Sequence, residues 1–196
     1  MSRRFLFVLG SARTQGNTEF LARAAAEQLA EGPEQVEQEW IGLAGLPLPE
    51  AEDLRHDIDH VRPAADTPAG TLLDATLAAT DIVIVSPLYW YSLSSLTKRY
   101  LDHWSGWLRI PEAGFKEAMA GRTLWGVTAL ADRDPAVAQP LIGSLNNSAA
   151  YLKMRFGGVL LGNGSGPGDI RHDTEALARA KTFFAGETPL ARFPGA

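Results

Sequence analysis

Short apolar runs, each too brief to be a helix, alternate with helical patterns along almost the whole chain, and this alternation limits the fold more than any other feature. Runs at residues 5–9, 36–41, 82–85, 124–130 and 159–161 read as strands. Helical patterns at 18–29, 71–79, 94–107, 136–154 and 174–184 lie between and after them. The run Ile82-Val83-Ile84-Val85 is β-branched throughout with no polar alternation, the pattern of a parallel strand covered on both faces, so it is placed centrally. Strands joined through helices connect by right-handed crossovers, which predicts an α/β layered protein with helices on both faces of a parallel sheet. Five such strands suit the doubly wound order 2-1-3-4-5, in which strands one and three flank the crevice where the winding reverses.

The length of 196 residues favours one core over two, since a domain takes roughly 150 residues. Residues 1–184 are assigned to that domain and 185–196, with two prolines, to a C-terminal tail. Residues 42–68 carry Pro47, Pro49, Pro63 and Pro68 with little periodicity and read as a long excursion after the second strand. A net charge of −5 argues against nucleic acid as a partner. With no cysteine there is no disulfide framework, thiolate metal site or cysteine nucleophile, so any redox chemistry has to come from a bound cofactor. No apolar run approaches the roughly eighteen residues of a membrane helix. The stretch after Arg3-Arg4 is shorter than the apolar segment of about seven to fifteen residues in a signal peptide, so a cytoplasmic protein is expected, with no membrane partner.

Two loops carry the chemistry. The first, Gly10-Ser11-Ala12-Arg13-Thr14-Gln15-Gly16-Asn17-Thr18, joins a buried strand to a helix, where free N–H groups and the helix dipole attract an anion. Ser11, Thr14 and Thr18 offer hydroxyls, and Arg13 a charged fork. The spacing fits neither the P-loop, which would need lysine where Asn17 stands, nor the dinucleotide fingerprint. A polar turn with Asn17 or Thr18 capping the helix is the alternative. The second loop, Ser86-Pro87-Leu88-Tyr89-Trp90-Tyr91-Ser92-Leu93-Ser94, sets three consecutive aromatics at the carboxyl end of the third strand. All three cannot face one core, so at least one is expected to be exposed or to cover something flat, while Ser92 or Ser94 caps the next helix. In the 2-1-3-4-5 order the two loops converge, and a planar ligand bearing a phosphate is the natural occupant.

These loops, the first followed by Leu21-Ala22 and the second by Leu96-Thr97-Lys98, resemble those of the flavodoxin-like NAD(P)H-dependent FMN reductase and quinone reductase family. Gly168-Asp169, Asp173, Glu175-Ala176-Leu177 and Ala180 resemble that family's last helix, so the similarity spans about residues 4 to 184. The resemblance implies a flavodoxin-like three-layer fold. It also implies FMN as cofactor, NAD(P)H as electron donor and a small-molecule acceptor such as a quinone, a nitro or azo compound, or flavin. Ser11, Arg13, Gly16, Asn17 and Thr18 would hold the FMN phosphate; Pro87, Leu88, Tyr89, Trp90 and Tyr91 would line the isoalloxazine. Ala129, Leu130, Ala131 and Asp132, after the fourth strand, would form a second ring-side loop that lacks the glycines many relatives carry there. No side chain is assigned an acid or base role. The alternative is an electron-transfer flavodoxin working with protein partners, but the shorter threonine-rich loop and stronger acidity usual there are missing. A cofactor-free scaffold would show itself by ignoring added FMN.

Holding a ligand at micromolar level takes about −8 kcal/mol. Two or three charge-assisted hydrogen bonds contribute roughly 1.5–3 kcal/mol each before ordering costs, so ring burial has to supply the remainder. Tyr100, Trp104 and Trp107 fall on one helical face, which suits either core packing or a homodimer patch beside the ring. A homodimer through this face is expected. His56 and His60, four apart, lie in a proline-bounded charged stretch, and no metal site is assigned to them. Gly162, Gly164, Gly166 and Gly168 read as a permissive loop.

Overall fold

In a computed structural model, which describes residues 2–31, 36–52 and 60–195, the alternation becomes a five-stranded parallel sheet of order β2-β1-β3-β4-β5. The strands are β1 (Arg4–Leu9), β2 (Glu37–Gly42), β3 (Asp81–Val85), β4 (Thr123–Leu130) and β5 (Arg155–Asn163). The helices are α1 (Asn17–Glu31), α2 (Pro68–Ala78), α3 (Ser95–Trp107), α4 (Phe115–Met119), α5 (Gln139–Tyr151) and α6 (Thr174–Ala180), with short 3-10 turns among them. Side-chain parity sorts the core. Leu6, Val8, Ile82, Ile84 and Leu124 pack with α2, α3 and α5 on one face. Phe5, Phe7, Val83, Val85, Trp125 and Val127 pack with α1 and α6 on the other. β3 is buried at every residue, as its unbroken β-branched run requires. β2, at the sheet edge, has no fully buried residue.

The helix expected over 174–184 ends at Ala180, ahead of a 3-10 turn, Phe183–Ala185, and two further elements differ from the sequence reading for identifiable reasons. β5 starts four residues earlier than its apolar run, because Gly157-Gly158 interrupt the pattern. A Cβ at Gly157 would stand 2.1 Å from the Trp125 ring, and the β4/β5 register shifts there, between Leu124 and Gly126. The pattern read as one helix over 136–154 is a 3-10 turn, Pro135–Ala138, followed by α5.

The aromatic face of α3 is turned inward, not outward to a partner. Tyr100, Trp104 and Trp107 are 0, 5 and 2% exposed, so they belong to the core and cannot serve as a homodimer patch. The reason is α4, which the sequence pattern did not reveal: its Phe115 ring packs edge-on against Trp104 and Trp107 at 5.7 and 5.5 Å. Burial pushes the Tyr100 phenol up to about 12, and its hydroxyl is hydrogen-bonded with Thr76 Oγ1 at 2.7 Å.

In the excursion after β2, Leu43 and Leu48 are buried, and the Leu48 and Pro49 carbonyls meet Arg99 and His103 of α3. His56 lies outside the described residues. Residues 189–191 run beside β5, with an antiparallel bridge between Leu190 and Arg155. Among the described residues no helix is long and apolar enough to cross a membrane.

Candidate functional site

The register that pairs Leu9 with Val85, and Val85 with Val127, brings the carboxyl ends of β1, β3 and β4 level. The ladder continues one residue beyond the strands, through Gly10 N–H to Val85 O at 2.8 Å and Ser86 N–H to Val127 O at 3.1 Å. The loops therefore leave the sheet side by side. Ser94 then ties them: its Oγ donates to Gly10 O at 2.6 Å and accepts the Thr97 N–H at 3.2 Å, capping α3. Its own N–H donates to Ser86 Oγ at 3.0 Å. The approach is so close that a Cβ on Gly10 would lie 1.8 Å from Thr97 Oγ1.

Between the loops is a cleft of about 250 Å³, lined by Ser11, Arg13, Gly16, Asn17, Thr18, Pro87, Leu88, Tyr89, Ala129, Ala131, Gly164 and Ser165. Ten of these were expected from sequence. Among the described lining residues Arg13 is the only charged side chain, and no carboxylate or imidazole joins it. At one end the cleft meets the amino terminus of α1, whose first N–H groups have no intrahelical acceptor. The nearby Glu19 carboxylate is already engaged: it accepts the Gln15 N–H at 2.8 Å and pairs with Arg23 at 2.8 Å. Negative charge near the helix start is thereby offset, leaving the end of the cleft held by Arg13 favourable to an anion. At the other end Pro87, Leu88, Tyr89, Ala129 and Ala131 give flat, largely apolar walls. The arrangement can hold an anion and a flat apolar group at once; it supplies no acid and base pair for proton transfer.

Four expected residues lie elsewhere. Trp90 and Tyr91 form the tip of a two-residue turn closed by reciprocal backbone bonds between Tyr89 and Ser92, both 3.0 Å. The turn carries them out of the cleft, Trp90 to 93% exposure. Leu130 and Asp132 have the opposite parity to Ala129 and Ala131 along the end of β4, so they face a neighbouring cavity with Arg133 and His172. The Asn17 side chain lines the cleft but is committed elsewhere: Nδ2 donates to Gly164 O and Gly166 O at 3.1 and 2.8 Å, and Oδ1 accepts the Gly168 N–H at 3.0 Å.

Gly164 and Ser165 were missed. The glycine spacing after β5 suggested only permissive backbone, whereas Asn17 clamps that loop against the start of α1 to make the third wall. Asn163, also missed, holds the 130–132 segment through Leu130 O at 3.3 Å and Asp132 O at 2.7 Å.

Comparison with known proteins gives consistent findings. The family model described as NADPH-dependent FMN reductase matches residues 3–154. YwqN of Bacillus subtilis (strain 168), named as an NAD(P)H-dependent FMN-containing oxidoreductase, is 31% identical over 172 residues, covering 87% of this chain and 91% of that protein. Among solved structures, the Trp repressor binding protein from Bacillus subtilis superposes with a TM-score of 0.69 at 24% identity, over 91% of this chain and 96% of that one. The NAD(P)H:quinone oxidoreductase from Methanothermobacter marburgensis does so with a TM-score of 0.68 at 15% identity, over 92 and 94%. At these identities the two structures bear on the fold alone.

Proposed function

The chain belongs to the NADPH-dependent FMN reductase family, and from that premise we propose that the cleft between the 10–18 and 86–92 loops holds FMN for an NAD(P)H-dependent oxidoreductase. The residues fit the group. A phosphate needs donors and positive charge at one end, which Ser11, Arg13, Thr18 and the first N–H groups of α1 provide. An isoalloxazine needs flat apolar walls at the other, which Pro87, Leu88, Tyr89, Ala129 and Ala131 provide. The convergence of these two surfaces in one cleft is the observation that carries the proposal.

When bound, FMN would supply the two-electron chemistry between NAD(P)H and a small acceptor such as a quinone, a nitro or azo compound, or flavin. The chain's own residues bind and orient. Arg13 and the α1 terminus fix the phosphate end, and Asn17 and Asn163 hold the two outer loops in place. Tyr89 lines the cleft yet is more than half exposed, so it flanks the approach open to donor and acceptor in turn. The cleft is smaller than the roughly 300–1,000 Å³ of sites that enclose a drug-sized ligand, as suits a ring with one face left open to two successive partners. No side-chain acid or base is assigned. A cytoplasmic location and self-association away from the α3 aromatic face complete the proposal.

The test is the visible spectrum of freshly purified protein under argon, before and after NADPH. Rapid bleaching on NADPH alone, reversed by a quinone, supports the proposal. Reduction that requires a partner reductase instead indicates an electron carrier, and protein that ignores added FMN removes both readings.

A further inference from the structure

At the opposite end of the sheet from the cleft, where β1, β3, β4 and β5 begin, is a cavity of about 580 Å³, more than twice the volume of the flavin cleft. Arg3, Arg122 and Arg155 line it, with Asp81, Phe184 and Thr188. It lies one strand length from the flavin cleft, roughly 17 Å along the five residues of β3.

The charges in this cavity do not balance. Among the described residues Asp81 is the only acidic one lining it, and its carboxylate is fully engaged. It accepts Arg3 Nη2 at 2.6 Å and Nε at 3.1 Å, Trp125 Nε1 at 2.9 Å and Thr80 Oγ1 at 2.8 Å. Arg3 and Asp81 thus neutralise each other. Arg122 and Arg155 stand next to one another at the starts of adjacent strands, joined by the Arg155 N–H to Arg122 O bond at 2.7 Å. Arg122 sends Nη1 to the carbonyls ending α2, Thr76, Leu77 and Ala79. Arg155 sends Nη1 to Thr188 O at 2.8 Å. The bonds engage one corner of each guanidinium, that of Arg122 also meeting the negative end of the α2 dipole, and neither arginine has a carboxylate partner among the described residues. Burial lowers the Arg122 pKa, a sign that its charge is partly desolvated. In a chain of net charge −5 such a cationic concavity focuses anions from solution.

We propose that this cavity binds a small phosphorylated molecule, its phosphoryl oxygens on the open N–H edges of Arg122 and Arg155 and its body against Phe184 and the 185–188 segment. Planar guanidinium forks match phosphoryl oxygens two at a time. The volume exceeds what a bare phosphate fills. The C-terminal segment forms the far wall, and its next residues are fastened to the sheet by Phe156 N–H to Pro189 O and Ala191 N–H to Met154 O, both 2.9 Å.

The experiment uses the protein as purified, with its flavin, and titrates inorganic phosphate, ribose 5-phosphate and ribose at constant ionic strength. The readout is the Nε–Hε NMR signals of Arg122 and Arg155. Ribose 5-phosphate is expected to shift both signals saturably and to bind at least tenfold more tightly than inorganic phosphate, while ribose shifts neither. Arg155→Glu, at an exposed position, and Arg122→Lys, which keeps a cation at the end of α2 but loses the fork, each weaken binding at least tenfold. Arg13→Ala, in the flavin cleft, changes it less than twofold. Shifts that do not saturate, equal affinity for phosphate and ribose 5-phosphate, or binding that survives both cavity variants overturns the site. So does binding lost with Arg13→Ala. Because the signals belong to arginines outside the flavin cleft, a failure of the flavin assignment would leave this readout intact.

Discussion

Gly10 occupies a point where any side chain would meet Thr97, because the Ser94 hydroxyl draws the first loop onto the start of α3. Gly10→Ala is therefore expected to cost about 1–3 kcal/mol and to loosen flavin retention, both read from one denaturant titration followed by flavin release. Unchanged stability would mean the loops are not clamped together. Tyr100 offers a second test at this scale. Its pKa is raised by burial to about 12 from 10.0, so the folded state keeps a proton that the unfolded chain gives up first. The resulting stability, about 3 kcal/mol, is fully present below pH 10.0 and fades as pH rises through about 12. Tyr100→Phe should flatten the fall in unfolding free energy over that window while costing about 1 kcal/mol at neutral pH. Identical slopes for the two proteins would contradict the burial of the phenol. Neither property could be read in advance. A glycine after a strand suits many loops, and a tyrosine in a helical stripe suits a surface or a core until its neighbours are known.

Among elements, the turn from Tyr89 to Ser92 departs most from local preference. Its central residues, Trp90 and Tyr91, sit at φ 49° and 63°, a region that side chains bearing Cβ avoid. Tyr91→Gly should stabilise the protein by about 0.5–1 kcal/mol in thermal or chemical unfolding, and a loss of stability would mean the tyrosine ring makes a compensating contact. Turns of this hand usually announce themselves by Asn-Gly or Gly-Gly, and here that signal is missing, so the three aromatics could be placed after β3 but not divided between cleft and tip. Along β4 the limit was parity. The sequence pattern presents residues 129–132 as one block, whereas the pleat sends Ala129 and Ala131 to the cleft and Leu130 and Asp132 to its neighbour. The α3 stripe failed for want of a partner. Phe115 covers it from a five-residue helix too short to leave a periodic trace in the sequence.

For the molecule as a whole, the strand order was legible because it rests on few facts: one uninterrupted β-branched strand, alternation with helices, and right-handed crossovers. The convergence of the first and third loops follows from that order, which is why most of the cleft could be named from sequence. What could not be named depends on distant segments meeting: the clamp of Asn17 on the 164–168 loop, 147 to 151 residues away, and the seating of residues 189–191 beside β5. The central claim is that one cleft grips a phosphate and a flat ring together. Equilibrium titration of flavin-stripped protein with FMN and with riboflavin, followed by flavin fluorescence, tests it most directly. Two charge-assisted hydrogen bonds of roughly 1.5 kcal/mol or more each predict at least about hundredfold tighter binding of FMN, with about tenfold of that margin lost in Arg13→Ala. Equal affinity for the two flavins, or binding of neither, would contradict it.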